Sequence, residues 1–212
     1  MMAVVDPTLE LERELHEAGA AWVVGCDEVG RGAIAGPVAV GVSAVLAPCA
    51  DIPAGLRDSK MLSEKRREEL YPHAISWSHA SAVGLADSDE VDRLGIVKAL
   101  GLAGRRALVQ LHEAGVRILD SVVVLDGSHD WLTPALTSAP RVLTRVKADR
   151  DCGSVAAASV IAKVHRDRMM IAFDETHPGY GWTGNKGYGS AAHYEALEAL
   201  GPSPLHRLTW LH

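Results

Sequence analysis

Four carboxylates in three separated stretches carry the chemical signal of this chain: the pair Asp27-Glu28, then Asp126, then Asp149. Each stretch follows an apolar run, Trp22-Val23-Val24, Val122-Val123-Val124-Leu125 and Val142-Leu143. Such runs predict strands, and carboxylates at or just past strand ends stand where α/β sheets hold their ligands. A single Asp there is an ordinary turn residue. Four acids from three strand ends imply a shared site. Oxygen donors with no Cys or His among them select hard Mg²⁺ or Mn²⁺ over zinc. Without cations, each pair of carboxylates 4 Å apart costs about 4 kcal/mol at an effective dielectric near 20. Two ions roughly 3.5–4 Å apart would relieve the cluster and suit in-line displacement at a phosphodiester.

Directly after the first pair comes Gly30-Arg31-Gly32. Glycine lets backbone approach a ligand closely, and the guanidinium forks onto an anion. Gly30-x-Gly32-x-x-Ala35 also fits a dinucleotide fingerprint, with Asp51 about 20 residues on. That reading fails on chemistry. Asp27 and Glu28 would repel a pyrophosphate, and Pro37 with the Val-rich run behind it makes a strand where the fingerprint needs a helix.

The elements that must position these residues follow from periodicity and punctuation. Asp6-Pro7 predicts a helix start, ending near Gly19. Strands are expected over 21–27 and 37–46, joined by the glycine turn as an antiparallel pair. Residues 47–62 form a loop holding Asp58-Ser59-Lys60, and Ser63 caps a charged helix expected to end near Tyr71-Pro72. A third strand is expected over 76–86. Residues 88–114 carry helical spacing weakened by Gly95, Gly101 and Gly104. After strands ending at Asp126 and Val146, a small-residue helix is expected over 154–173, a Gly-rich loop over 177–190 and a last helix over 191–200. The order gives a mixed α/β sheet flanked by helices, without internal repeats.

Composition bounds the rest. The chain has 212 residues, 48% hydrophobic and 23% charged, which is ordinary for a globular protein. With one Phe, four Tyr and five Trp, packing falls to Val, Ala and Leu. No apolar run reaches the ~18 residues a membrane span needs. Met1 to Glu17 lacks the basic and apolar regions of a signal peptide, so a cytoplasmic protein is expected. Cys26, Cys49 and Cys152 form no C-x-x-C pair and argue against disulfides and zinc. The net charge of −6 is unevenly spread. Residues 1–140 hold 12 Lys and Arg against 20 Asp and Glu, whereas 141–212 hold 9 against 7. A basic face beside an acidic pocket suits a phosphate backbone, although a solvated helix face explains the charges equally well.

Taken together, Cys26-Asp-Glu-Val-Gly-Arg-Gly32, Ala35-Gly-Pro37, Asp58-Ser-Lys60, Leu125-Asp-Gly127 and Lys147-Ala-Asp149 resemble the ribonuclease HII family. So do Ala156-Ala-Ala-Ser-Val-Ile-Ala-Lys163, Arg166-Asp-Arg168 and Asn185-Lys-Gly-Tyr-Gly189. The resemblance runs over most of residues 22–210. It implies an RNase H-like mixed five-stranded sheet over 1–152 and a C-terminal helical, substrate-binding extension over 153–212, continuous as one domain. It implies an endonuclease cutting the RNA strand of RNA–DNA hybrids and incising 5′ of a single ribonucleotide in duplex DNA. Two Mg²⁺ or Mn²⁺ ions would act, leaving 3′-hydroxyl and 5′-phosphate ends, in ribonucleotide removal and RNA primer processing. By resemblance Asp27, Glu28, Asp126 and Asp149 are the metal-binding, catalytic acids. Gly30, Arg31 and Gly32 contact the ribose 2′-hydroxyl and adjoining phosphate, Tyr188 stacks on the following sugar, and Lys60 contacts a phosphate at the rim. Asp151 stands close enough in sequence to Asp149 to compete for its role. Ser190 replaces the Thr usual in the family. A monomer is expected. Two other classes remain at this stage: a different two-metal nuclease on the same fold, and a noncatalytic hybrid-binding module.

Overall fold

The computed structural model describes residues 6–211, so the first residues of the segment read against a signal peptide lie outside it. Five strands form one sheet: β1 (Trp22–Val29), β2 (Val38–Val45), β3 (Ala80–Ala86), β4 (Ser121–Asp126) and β5 (Arg141–Arg145). Their order across the sheet is β3-β2-β1-β4-β5. The β1–β2 and β2–β3 pairs are antiparallel, while β1–β4 and β4–β5 are parallel. This is the mixed five-stranded sheet expected. Every residue of β2 is buried, as is β1 up to Asp27; strands covered on both faces read as continuous apolar runs.

Among the described residues eight helices surround the sheet: α1 (Glu10–Glu17), α2 (Glu64–Trp77), α3 (Ser88–Leu94), α4 (Ile96–Glu113), α5 (Ala148–Asp151), α6 (Gly153–Thr176), α7 (Trp182–Asn185) and α8 (Ala191–Leu200). Helices α4 and α6 take opposite faces. A Cβ on Gly84 would meet the Ala103 carbonyl oxygen of α4 at 2.0 Å, and one on Gly25 would meet Ser154 of α6 at 2.2 Å. Small residues thus bring helix and sheet together more closely than side chains permit. On the α4 side Val24, Cys26, Val40 and Leu125 pack with Ala103, Ala107 and Leu111. On the α6 side Val23, Val122 and Val124 pack with Val155. Helix α6, which opens the segment assigned to the extension, therefore lies directly on the sheet.

Several boundaries differ from the expected ones. Helix α1 starts at Glu10, because Thr8 is held in a bridge with Cys152 and Asp6 pairs with Arg57 at 2.8 Å. Once formed, α1 buries Glu12, which accepts the Ser154 N–H and hydroxyl at the start of α6, at 2.8 and 2.7 Å. Helix α2 continues through Pro72 to Trp77, displacing the start of β3 from 76 to 80. Pro72 lies on the exposed side of the helix, while Leu70 and Ala74 anchor the opposite side on α6. Gly95, at φ +76°, splits the 88–114 segment into α3 and α4. Gly101 and Gly104 remain helical because Trp131, Leu132 and Ala135 crowd their faces. The Gly-rich segment 177–190 contains the one-turn helix α7.

Candidate active site

The parallel register sets Cys26 beside Leu125, which makes Asp27 and Asp126 neighbours at the end of adjacent strands. Strand alternation points both toward α6, on the side of Val23, Val122 and Val124. Asp149 reaches the same place by another route. It lies past β5 in the short helix α5, which Lys147 enters in a left-handed conformation, φ +63°. Its N–H lies 3.4 Å from Asp126 Oδ1. The expected strand-end position for Asp149 is thus a helical turn returning toward β4.

A cleft of about 420 Å³ opens here, lined by the sheet's Asp27, Glu28 and Asp126, by the Gly30–Gly32 turn, and by Lys60 and Tyr188. The Lys60 ammonium stands 3.2 Å from Asp149 Oδ2. Asp58 turns the loop that delivers it, its Oδ1 accepting the Lys60 N–H at 2.8 Å. Asp151 faces elsewhere and pairs with Arg145 at 3.4 Å. Arg31 meets Glu28 at 3.3 Å and is otherwise about half exposed.

The acids are electrostatically unsettled. Burial pushes Asp27 up to about 8, opposed by Lys60 and the Ser159 hydroxyl and reinforced by Glu28 and Asp126. Burial also raises Glu28, against the pull of Arg31, and burial and then Asp149 raise Asp126. Lys60 is raised too; burial alone would lower it, but Asp27, Asp149 and Asp58 hold the proton on. The carboxylates outnumber the cations facing them. Among the described residues no three acidic, His or Cys side chains are gathered tightly enough to hold an ion as they stand. The donor set is nonetheless all oxygen, and a hard divalent cation relieves such mutual repulsion.

Tyr188 lies on the far rim, partly exposed, its ring 5.5 Å from the Arg166 guanidinium carbon and 5.9 Å from Lys163 Nζ. The basic residues of α6 therefore separate into distinct roles. Arg166 is fully buried and gives its donors to the carbonyls of Pro37, Lys186 and Ala35. Arg168 pairs with Glu68, and Lys163 donates to Asp167 at 2.7 Å while lining the cleft.

Comparison with known proteins identifies the family and the fold. The family model described as Ribonuclease HII matches residues 24–212. The chain belongs to the ribonuclease HII family. Curated relatives bearing that name include one from Streptomyces coelicolor, 45% identical over 206 residues, covering 96% of this chain and 83% of the relative. Another, from Thermus thermophilus, is 48% identical over 185 residues, covering 87% and 84%. Among solved structures, the ribonuclease H2 of Pyrococcus horikoshii OT3 superposes with a TM-score of 0.67 at 27% identity, covering 89% of this chain and 93% of that one. A crystal structure of Bst-RNase HIII in complex with Mn²⁺ gives 0.70 at 26% identity, covering 92% and 68%. The chain is accordingly an RNA–DNA hybrid endoribonuclease, a phosphodiester hydrolase on an RNase H-type sheet.

Some residues at this ribonuclease HII site escape a reading of the sequence. Ser59 and Ser159, hydrogen-bonded at 2.8 Å, sit beneath Asp27 and Lys60. Arg207 is fully buried and grips the glycine turn from the far end of the chain. Nothing in its local sequence marks it as buried.

Proposed function

We propose that this ribonuclease incises duplex DNA 5′ of a single embedded ribonucleotide, besides cutting RNA–DNA hybrids, with Asp27, Glu28, Asp126 and Asp149 binding two divalent ions. The observation that carries the reading is one cleft lined by Asp27, Glu28, Asp126, the Gly30–Gly32 turn and Tyr188, with the Asp149 N–H 3.4 Å from Asp126 Oδ1. When bound, Mg²⁺ or Mn²⁺ would supply charge neutralisation and an activated water. The chain's own part is positioning. Asp27 and Asp126 are fixed by the sheet register, Asp149 by α5, and Lys60 and Arg31 bring positive charge to the rim for the phosphates flanking the scissile bond.

Recognition of the ribose falls to the turn and Tyr188. The 2′-hydroxyl is the group that distinguishes RNA from DNA at one nucleotide, and backbone exposed by glycine can bond it closely. Tyr188 offers a face for the following sugar, in the extension proposed to bind substrate. Such an activity serves ribonucleotide removal and RNA primer processing, leaving 3′-hydroxyl and 5′-phosphate ends, and a monomeric cytoplasmic enzyme suffices for it. The test is a DNA duplex carrying one ribonucleotide, with Mg²⁺ or Mn²⁺, beside an all-DNA duplex and a long hybrid. Cutting at the 5′ side of the ribonucleotide, with the all-DNA duplex left whole, is expected. Degradation of the hybrid with the single-ribonucleotide duplex left intact would overturn the reading.

A further inference from the structure

The Gly30–Pro37 turn is built asymmetrically. The carbonyls of Gly30, Arg31, Ala35, Gly36 and Pro37 accept from two buried guanidiniums. Arg207 donates to the carbonyls of Gly30 at 2.7 Å, Arg31 at 3.1 Å and Gly36 at 3.1 and 3.2 Å. Arg166 donates to Ala35 at 3.0 Å and Pro37 at 2.8 Å, and its remaining arm takes Lys186 at 2.8 Å, two residues before Tyr188. The Ile34 and Ala35 N–H groups bond the Gly187 carbonyl. By contrast, the N–H groups of Gly30, Arg31 and Gly32 donate to nothing among the described residues, and these three residues line the cleft.

Both guanidiniums are fully buried, and all their hydrogen bonds go to backbone carbonyls. Burial, then the neighbouring Arg166, lower Arg207 to about 10, so it remains charged at neutral pH. A buried cation without a counter-ion is costly, and its carbonyl ligands must be numerous to hold it. The indole of Trp210, 5.0 Å from the Arg207 guanidinium carbon, adds a cation–π contact. That cost is hard to account for by packing alone, since an apolar side chain fills space more cheaply.

We infer that Arg207 is a positioning residue for ribonucleotide recognition: by drawing the turn's carbonyls inward it holds the Gly30, Arg31 and Gly32 N–H groups as a rigid donor surface for the ribose hydroxyl and phosphate. Donors fixed in advance lose nothing to reorganisation when the ligand arrives. The inference deepens the proposed function and rests on its reading of the turn.

The experiment separates the two. In the full chain carrying Asp126→Asn, affinity is measured for a DNA duplex with one ribonucleotide and for the same duplex without it, and the ratio compared after adding Arg207→Lys. Lysine keeps the charge but lacks the planar fork whose three separate nitrogens reach the Gly30, Arg31 and Gly36 carbonyls. The ratio should fall about five- to tenfold, the worth of one lost hydrogen bond, through weaker binding of the ribonucleotide duplex only. If Asp126→Asn alone shows no ribonucleotide preference, the reading of the turn fails and takes the inference with it. If the preference exists and Arg207→Lys keeps it, or weakens both duplexes equally, Arg207 is merely structural and the inference falls. Should Arg207→Lys not fold, Trp210→Ala, which removes only the indole, must lower the same ratio to a smaller extent; an unchanged ratio would refute the role.

Discussion

The two walls of the cleft are frustrated in opposite senses. On the sheet side Asp27, Glu28 and Asp126 are all raised above their ordinary range, and only Lys60 and Arg31 stand against them. On the turn side two guanidiniums lie buried with carbonyls as their hydrogen-bond partners. The acidic wall is incomplete without something from solution. The turn, in contrast, has its Gly30, Arg31, Ala35, Gly36 and Pro37 carbonyls satisfied internally, while the Gly30, Arg31 and Gly32 N–H groups bond nothing among the described residues. A site that awaits a cation tolerates like charges at close range, whereas a site that reads shape must be rigid before its ligand arrives.

The largest effect should come from breaking the acidic wall. Asp126→Asn is expected to lower turnover by on the order of 10²–10³-fold or more. Because it also removes repulsion with Asp149, its melting temperature without divalent ions should equal or exceed that of the parent. Calorimetry and a hybrid-cleavage assay on one preparation would check both. A clear loss of stability would mean that Asp126 is a structural acid, and the contrast between the walls would collapse.

The turn should respond in the opposite way. A Cβ on Gly30 would meet Arg166 Nε at 2.2 Å, at a φ of +80° that disfavours any side chain. Gly30→Ala is therefore expected to cost about 1–3 kcal/mol in urea unfolding. Gly32→Ala has open space around it and should be nearly neutral in the same measurement. Equal stability for the two variants would show that the turn is not pinned from beneath.

The smallest effect is a pH dependence confined to the platform under Tyr188. His206 Nδ1 accepts the Ser203 N–H at 3.0 Å, its Nε2 lies 3.1 Å from His193 Nε2, and His193 Nδ1 donates to the Tyr188 carbonyl at 2.9 Å. The Trp182 indole N–H donates to the same His193 Nε2 at 3.0 Å. Both rings are therefore neutral in the fold. Burial, and then His193, lower His206 from 6.5 to about 4. The unfolded chain thus binds the proton first, and stability should be full above about 6.5 and decline as pH falls toward 4. His206→Gln should flatten that part of a melting-temperature profile. An unchanged slope would place the proton uptake elsewhere.

Much of this is legible in the sequence, for identifiable reasons. The strands bearing Asp27, Glu28 and Asp126 are continuous apolar runs, and the acids stand at the end of each run. The mixed sheet follows from the order of runs and turns. Asp149 reads as an acid after a strand, but its helical turn depends on Lys147 adopting a left-handed conformation, which local propensity does not favour. Pro72 misleads because its cost depends on exposure, a tertiary property. Arg207 is invisible because its role depends on carbonyls far away in the chain. Charge content alone likewise leaves Arg166 among the surface residues of α6, whereas the fold buries it completely.

Those long separations carry a consequence for how the enzyme comes into being. Glu12 meets Ser154 across 142 residues, and Arg207 meets Gly30 across 177. Contacts so distant in sequence form late and slowly. On the ribosome, a chain made only as far as residue 200 already contains all five strands and all four acids, yet the glycine turn still lacks Arg207. Asp27, Glu28, Asp126, Asp149, the Gly30–Gly32 turn and Tyr188 are all made before Arg207, so the carboxylates are complete while the turn is still without the guanidinium that grips its carbonyls.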